Sequence, residues 1–432
     1  MNPVHPAGLP ISIKPRGAGP GQTAAWRPML GWTCWAAPLE PPYSRKLPMK
    51  PIETILLVIA AAPLAYYASA IFSTWHFFRA TRSAPPPDAS FTPAVSNLKP
   101  IRGADPDAYA NFASFCRQDY PDYELLFCVS DHDDPALPVI EELRRAFPER
   151  PIRVLHGSGR DATNDKVAKL DRLVAEAAHP VVVISDSDVR VGPDYLRTVV
   201  AALADPKVGA TTCFYVTAQE KTFADRLHST GMLSDFYAGI IVAWQLDGVK
   251  FALGPSIATT CERLAGFGGY RAIENLPGDD LLVGRLIAEQ GYEVKLLPYT
   301  VETVADFASM RELIQKRLRW MVVMRHMRPA GHFGLLFTQA VPWLLAAAVF
   351  APVRVALAYW GTYLGMRWLL TWMIAVWGLH QPGVARKLWL VPLWDAVAFG
   401  IWAASFTRRT LRWRGQDYTI QNGALVPAAT RE

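Results

Sequence analysis

The sequence predicts an α/β domain built on a mostly parallel sheet, held between membrane-spanning helices at both ends. Three observations carry this. Short β-rich runs alternate with amphipathic helical stretches over residues 95–298, the pattern of strands joined by covering helices. Long apolar runs lie before and after that region. The composition fits such a mixture: 51% of the 432 residues are hydrophobic and 19% are charged, the latter below the ~25% of ordinary soluble domains. Disorder of the bulk of the chain is thereby excluded, and at ~150 residues per domain the length holds two or three units.

Residues 1–48 are dense in Pro and Gly and lack periodicity, so they cannot bury enough apolar surface to offset their ordering entropy. They are expected to be a disordered or upstream extension, with Met49 as the start of the chain proper. Residues 54–78 carry no charge apart from the flanks, and ~20 apolar residues suffice to cross a bilayer; a transmembrane helix is expected over 52–79. Pro85 to Pro93 then reads as a linker. A globular domain follows over 90–305. Its expected strands are 95–101, 123–130, 151–156, 181–185, 209–216 and 250–260, with helices over 134–147, 167–178 and 195–204.

Ser309 is placed to cap a helix that carries Arg311, Lys316, Arg317, Arg319 and Arg325 beside Leu313, Ile314, Leu318, Met321, Val322 and Met324. A basic helix with one apolar face suits a membrane surface, and an amphipathic interface helix is expected over 309–330. Three apolar stretches (333–353, 356–379 and 388–406) predict membrane helices over 333–406. Arg367 and Asp395 lie within them and are expected to face neighbouring helices. The Arg-rich remainder, 407–432, reads as a cytoplasmic tail. Four full crossings would put the domain and this tail on opposite sides, so either one stretch is re-entrant or the charge rule fails here.

The five cysteines, Cys34, Cys116, Cys128, Cys213 and Cys261, are odd in number and without metal-ligand spacing. That argues against a disulfide scaffold and fits a reducing compartment. The net charge of +6 is a mild excess, and no nucleic-acid partner is expected.

The chemistry concentrates where apolar runs end in acids. Val181-Val182-Val183-Ile184-Ser185-Asp186-Ser187-Asp188 is a buried strand closing on two carboxylates. Ligands of parallel sheets bind beyond the carboxyl ends of strands, and two acids there suit Mg²⁺ or Mn²⁺, which bridge to substrate phosphates; a solvated acidic turn is the alternative. A second strand ends in Ser130-Asp131-His132-Asp133-Asp134-Pro135. The start of the following helix accounts for Asp133 and Asp134, and less well for Asp131. Gly278-Asp279-Asp280 precedes a third helix, where one acid suffices for capping and the other is free to act as a base. His132 and His156 are assigned no catalytic part.

Together with Leu98-Lys99-Pro100-Ile101-Arg102-Gly103, Gln118-Asp119-Tyr120-Pro121, Asn164-Asp165-Lys166-Val167 and Arg319-Trp320, these motifs resemble a family: membrane-bound inverting glycosyltransferases of the GT-A, Rossmann-like type. The likeness is nearest to ceramide glucosyltransferases and their bacterial relatives that glycosylate hopanoids, and it covers about residues 50–425. The resemblance implies a UDP-sugar donor, a lipid hydroxyl acceptor, and Mg²⁺ or Mn²⁺. It places Asp131, Lys166, Asp186, Arg319 and Trp320 at the UDP-sugar, Asp186 and Asp188 at the metal and diphosphate, and Asp280 as the catalytic base. It also implies a multi-pass protein of the membrane, a bacterial inner membrane, with the catalytic domain on the cytoplasmic side. The chain departs from the family in one place. Lys316 opens the segment Lys316-Arg317-Leu318-Arg319-Trp320, where the family carries Gln or Arg, and Lys lacks the planar fork that grips a phosphate in two places.

The transfer expected is of glucose from UDP-glucose to ceramide, with N-acetylglucosamine to bacteriohopanetetrol as the alternative. A processive polysaccharide synthase shares the acids and the fold but needs more spans. A scaffold with a degenerate transferase domain has no reason to keep every acid.

Overall fold

A helix of 33 residues, α1 (Pro51–Ser83), leads into the sheet. In this computed structural model the described residues are 51–428, except 86, 87, 89, 161, 305, 306, 409, 414, 415 and 422. The expectation for residues 1–48 lies outside them. β1 (Val95–Pro100), β2 (Tyr123–Val129), β3 (Ile152–His156) and β4 (Val181–Ile184) are mutually parallel, joined through α2 (Ala108–Cys116), α3 (Ala136–Ala146) and α4 (Asp165–Glu176). β5 (Val189–Arg190), α5 (Tyr195–Ala201), β6 (Val208–Thr217) and α6 (Phe223–Gly231) follow. A π-helical turn, Met232–Phe236, leads into α7 (Tyr237–Asp247), β7 (Ile257–Thr260), α8 (Cys261–Ala265), α9 (Asp279–Glu289) and β8 (Glu293–Thr303).

Among the described residues the strands form one eight-stranded sheet, in the order β3-β2-β1-β4-β7-β6-β8-β5. β7 lies antiparallel between β4 and β6, and β5 is antiparallel at one edge. The expected, mostly parallel sheet is therefore present. Residues 250–256 are not strand, and β8 is an element the sequence reading did not include. Every side chain of β1, β2 and β4 is buried, as expected for central parallel strands covered on both faces.

One face of the sheet packs Phe112, Phe115, Phe127, Tyr195 and Leu196 beneath α2, α3 and α5. The other packs Leu98, Ile184 and Phe214 with residues of α4, α7 and α9, and the same core runs on without a break into α1 and the C-terminal helices. Phe77 of α1 sits edge-on to Phe214 of β6 and Trp244 of α7, with centroids 5.8 and 5.0 Å apart. α1 is thus part of the domain core along its C-terminal half.

α10 (Met310–Met327) begins at the expected cap: Ser309 Oγ accepts the Glu312 N–H at 3.4 Å, and the Glu312 carboxylate accepts the Ala308 N–H at 3.0 Å. Its apolar side does not lie free for lipid. Leu313 packs with Leu390, Trp394 and Ala398, and Leu318, Val322 and Val323 pack with Tyr418, Ile420 and Leu425. Of the apolar residues expected to face the membrane, Ile314 is exposed.

α11 (Pro329–Gly334), α12 (Val341–Phe350), α13 (Val353–Trp372) and α14 (Leu390–Ser405) follow. The first apolar stretch is broken between α11 and α12, and ten residues at ~1.5 Å rise span ~15 Å, half a hydrocarbon core. By length and composition, residues 58–83 and 329–350 are apolar enough to cross a membrane. Among the described residues, the large exposed apolar side chains lie on α1 and on residues 329–406, apart from Phe223, Leu246 and Ile314.

The segment read as a tail is structured. β9 (Thr410–Trp413), β10 (Gln416–Gln421) and β11 (Ala424–Pro427) form an antiparallel sheet on α10. The Leu425 N–H also donates to the Asn275 carbonyl at 2.7 Å, which fastens this sheet close to α9.

Candidate active site

The carboxyl ends of β1, β2 and β4 and the chain entering antiparallel β7 all meet at one edge of the sheet. β4 delivers Asp186 and Asp188 there. The N-terminus of α9 delivers Asp279 and Asp280, turned inward by Gly278, whose φ of 75° is open to glycine at little cost. α4 delivers Lys166 from its first turn, behind the cap in which Asn164 accepts the Val167 N–H.

Lys166 joins the two acidic groups. Its Nζ lies 2.8 Å from Asp186 Oδ1 and 3.1 Å from Asp279 Oδ2. Burial disfavours its charge, but Asp186 and Asp279 outweigh that and hold the ammonium well above its usual range. Asp280 faces the same space from the other side. Its Oδ2 accepts the Gly254 N–H at 3.0 Å, and its Oδ1 accepts the Leu281 N–H at 2.9 Å. Gly254 has no room to spare: a Cβ there would meet Asp280 Oδ2 at 3.1 Å and Asp186 Oδ2 at 3.5 Å. Asp186 and Asp280 therefore converge on one glycine.

Desolvation of its half-buried carboxyl, with Asp279 adding repulsion, pushes Asp280 up to about 6 despite Lys166 and the Leu281 N–H. Desolvation and then the Asp186 charge likewise push Asp188 up to about 6, opposed by Lys316 across from it on α10. Burial lowers the Lys316 ammonium, and Asp188 partly restores it. The site is an acidic pocket whose cations do not fully balance it.

The structure thus brings Lys166, Asp186, Asp188 and Asp280 together, with Asp279 and Lys316. Asp131 stands exposed just beyond β2, two strands from β4 in the sheet order, which at ~4.8 Å per strand is ~10 Å away. Arg319 is half-buried on α10. Trp320 is half-buried too, its ring 5.9 Å from Phe236 and 6.4 Å from His228. Asp134 follows the structural reading, accepting the Gly103 and Ala136 N–H groups. His132 stacks on His156 at 4.3 Å.

Three contributors escaped the sequence reading. Lys99 is fully buried in β1, its Nζ 3.1 Å from the Asp186 carbonyl and 3.3 Å from the Phe115 ring centroid. Burial drives its pKa well down, against the pull of Asp186 and Asp188; β1 also carries Ser96 and Asn97, so one more polar residue there gave no signal in the sequence. Gly254 carried none, since its part depends on β7 running antiparallel. Asp105 holds the Ser187 hydroxyl and so fixes the turn between Asp186 and Asp188.

A divalent cation fits this donor set chemically. Among the described residues no cluster of three or more His, Cys, Asp or Glu has metal-holding geometry, so the chain offers Asp186 and Asp188. Mg²⁺ and Mn²⁺ sites commonly use one or two carboxylates and complete themselves with phosphate and water oxygens.

Three comparisons bear on this geometry. The mannosyltransferase PcManGT of Pyrobaculum calidifontis, solved with GDP-Man and Mn²⁺, superposes with a TM-score of 0.54 at 19% identity, over 82% of this chain and 99% of that one; the fold is GT-A. Ceramide glucosyltransferase 3 of Caenorhabditis elegans is 25% identical over 246 residues, 56% of this chain and 52% of that protein. The ceramide glucosyltransferase of Komagataella phaffii is 31% identical over 157 residues, 35% and 30% of the two chains. The matched region is thus about half the length of the first of these relatives. A model of the whole family, glycosyl transferase family 21, matches residues 55–426. With the acids, the lysine bridge and the sheet edge in place, the chain belongs to glycosyl transferase family 21.

Proposed function

We propose that the protein is an inverting glycosyltransferase that moves glucose from UDP-glucose to the primary hydroxyl of ceramide at a membrane surface. The observation that carries this is the convergence at Gly254: Asp186, held by Lys166, and Asp280 both come up against this one backbone position. A transfer with inversion needs this arrangement, with leaving-group charge handled on one side and a proton acceptor on the other. The choice of glucose and ceramide is supported by the curated relatives, which are ceramide glucosyltransferases.

Asp131, Lys166, Asp186, Arg319 and Trp320 would bind the donor, Asp131 at the nucleoside end and Lys166 and Arg319 near the diphosphate. Lys166 is charged and held in place by two acids, so no reorganisation is needed as negative charge grows on the departing UDP. Asp186 and Asp188 would hold Mg²⁺ or Mn²⁺, which supplies positive charge toward the diphosphate. Asp280 would take the acceptor proton. Its raised pKa makes it a stronger base than a solvated carboxylate, yet it is still ionised near neutral pH. The two backbone N–H groups on its oxygens fix its aim. The exposed apolar belt on α1 and residues 329–406 supports a bilayer as the partner of these helices, with the site held at its surface.

The test is UDP release by the full chain in detergent micelles, crossing UDP-glucose and UDP-N-acetylglucosamine with ceramide and bacteriohopanetetrol, the product identified by mass spectrometry. Glucosylceramide is the expected product. An N-acetylglucosaminyl hopanoid would replace the substrates and keep the mechanism. No product in any combination, with either Mg²⁺ or Mn²⁺, would sink the proposal.

A further inference from the structure

Arg317 is 7% exposed, and its Nε and Nη2 have no hydrogen-bond partner. Those two atoms form one edge of the guanidinium, the edge that grips a pair of oxygens side by side. The group lies over two indoles, Trp320 and Trp394, each with its centroid 4.8 Å away. Buried cations without partners are rare because they are costly, so this fork calls for an occupant.

The surroundings indicate what kind. His228 on α6 also has an unpartnered buried atom, Nδ1, and its ring lies 6.4 Å from Trp320. Asp235 is exposed on the π-helical turn, and Trp394 Nε1 donates to its Oδ2 at 3.5 Å. Turns of this kind recur at functional sites because they re-aim side chains. Phe236 is 5.9 Å from Trp320 and 6.4 Å from Tyr215. Tyr215 in turn is within electrostatic reach of both Arg317 and Asp280. Arg317 is therefore linked to Asp235 through the Trp394 indole and stands near the Asp280 side of the site by way of Tyr215.

We infer that the Arg317 fork and Asp235 together hold the polar head of the acceptor lipid, and that the head is neutral and carries both lone pairs and exchangeable protons, as a hydroxyl or secondary amide does. The inference rests on the transferase reading above and adds the residues that choose the acceptor. Arg317 offers only donors and Asp235 only acceptors. A phosphate would satisfy Arg317 but meet Asp235, and an ammonium would do the reverse. A hydroxyl or amide satisfies both. Arg317 and Asp235 are binding residues here, and Asp280 remains the group at the reacting atom.

The test uses the full chain in detergent micelles and measures equilibrium binding of hexanoyl-ceramide and of bacteriohopanetetrol, and separately of UDP, for wild type, Arg317→Met, Arg317→Lys and Asp235→Asn. Wild type should bind at least one of the lipids. Each variant should weaken that binding by at least about tenfold, the usual size for loss of a charge-assisted hydrogen bond, with UDP affinity unchanged. Arg317→Lys keeps charge and stem but loses the fork, and Asp235→Asn is exposed and isosteric, so neither depends on the fold surviving a large change. Lipid binding unchanged in Arg317→Lys and Asp235→Asn would overturn the inference. So would a fall in UDP affinity with lipid binding intact, which would give the fork to the donor, and so would a wild type that binds neither lipid. Loss of lipid binding in the variants of a protein that transfers no sugar would uphold the seat and sink the transferase reading alone.

Discussion

Two groups of buried charge differ in how completely they are answered. Between α13 and α14, Arg367 donates Nε and Nη2 to Asp395 at 2.8 and 2.5 Å and Nη1 to the Ser234 carbonyl at 2.6 Å, and Tyr363 donates to the same Asp395 at 2.7 Å. Every strong group has a partner within the chain. At the sheet edge, Lys166 answers Asp186 and Asp279, while Asp188 and Asp280 stay raised by burial and by their neighbours' charge. A satisfied cluster locks helices together. An unsatisfied one stores affinity for something absent from the chain. The structural reading of Arg367 and Asp395 made from sequence follows from the first arrangement.

The comparison breaks most visibly at Asp280. Asp280→Asn keeps the shape but removes the base, and transfer should fall by about 10²–10⁴-fold while UDP binding stays measurable; retained transfer would remove Asp280 as the base. The counterpart on the helical side is Asp395→Ala, which leaves the Arg367 guanidinium buried and uncompensated. It should cost about 3–5 kcal/mol of stability, read as an early thermal transition in micelles. The double change Arg367→Met with Asp395→Leu should recover most of that loss, since breaking a buried pair is worse than replacing it. If the double variant is no better than the single, the cluster does more than join helices. Gly254→Ala sharpens the contrast from the other side. Its Cβ would press on Asp280 Oδ2 at 3.1 Å, and misplacing a reacting group by part of an ångström should lower kcat by about tenfold with little change in melting temperature.

Legibility in the sequence followed contiguity. β4 and its acids were readable because an apolar run and the carboxylates that end it sit in eight consecutive residues, 181–188. The fastening of Asp186 to Asp279 through Lys166 was not, since three elements far apart in the chain must fold before the contact exists. α10 shows a different limit. Its amphipathic pattern is real, but periodicity does not say whether lipid or protein covers the apolar side, and here α14 and the C-terminal sheet cover most of it. The same basic residues that suggested a membrane surface include Lys316, facing Asp188, and Arg325, whose Nη2 donates to the Arg408 carbonyl. β8 went unread because Pro298 and a register shift against β6 near Phe214 interrupt its alternation. β9 to β11 are only four to six residues long and follow directly on Arg408 and Arg409, with Arg412 and Arg414 close behind, a composition that tails share.

The smallest effect expected is in pH. Asp280 is pushed up to about 6 from an ordinary value near 3.8, so the base is protonated below about pH 6 and ionised above it. kcat should therefore rise with pH through about 6 and level off, and the rise should vanish from the residual activity of Asp280→Asn. Stability runs the other way. As pH climbs from about 4 to 6 the unfolded chain releases this proton before the folded one, so the group's contribution to folding declines over that window and is constant beyond it. Activity and stability moving in opposite directions across one interval is the signature of a carboxyl held for chemistry at the expense of the fold. The Arg367–Asp395 pair, satisfied within the chain, gives no such crossing, and a variant lacking that pair should leave the kcat profile where it is.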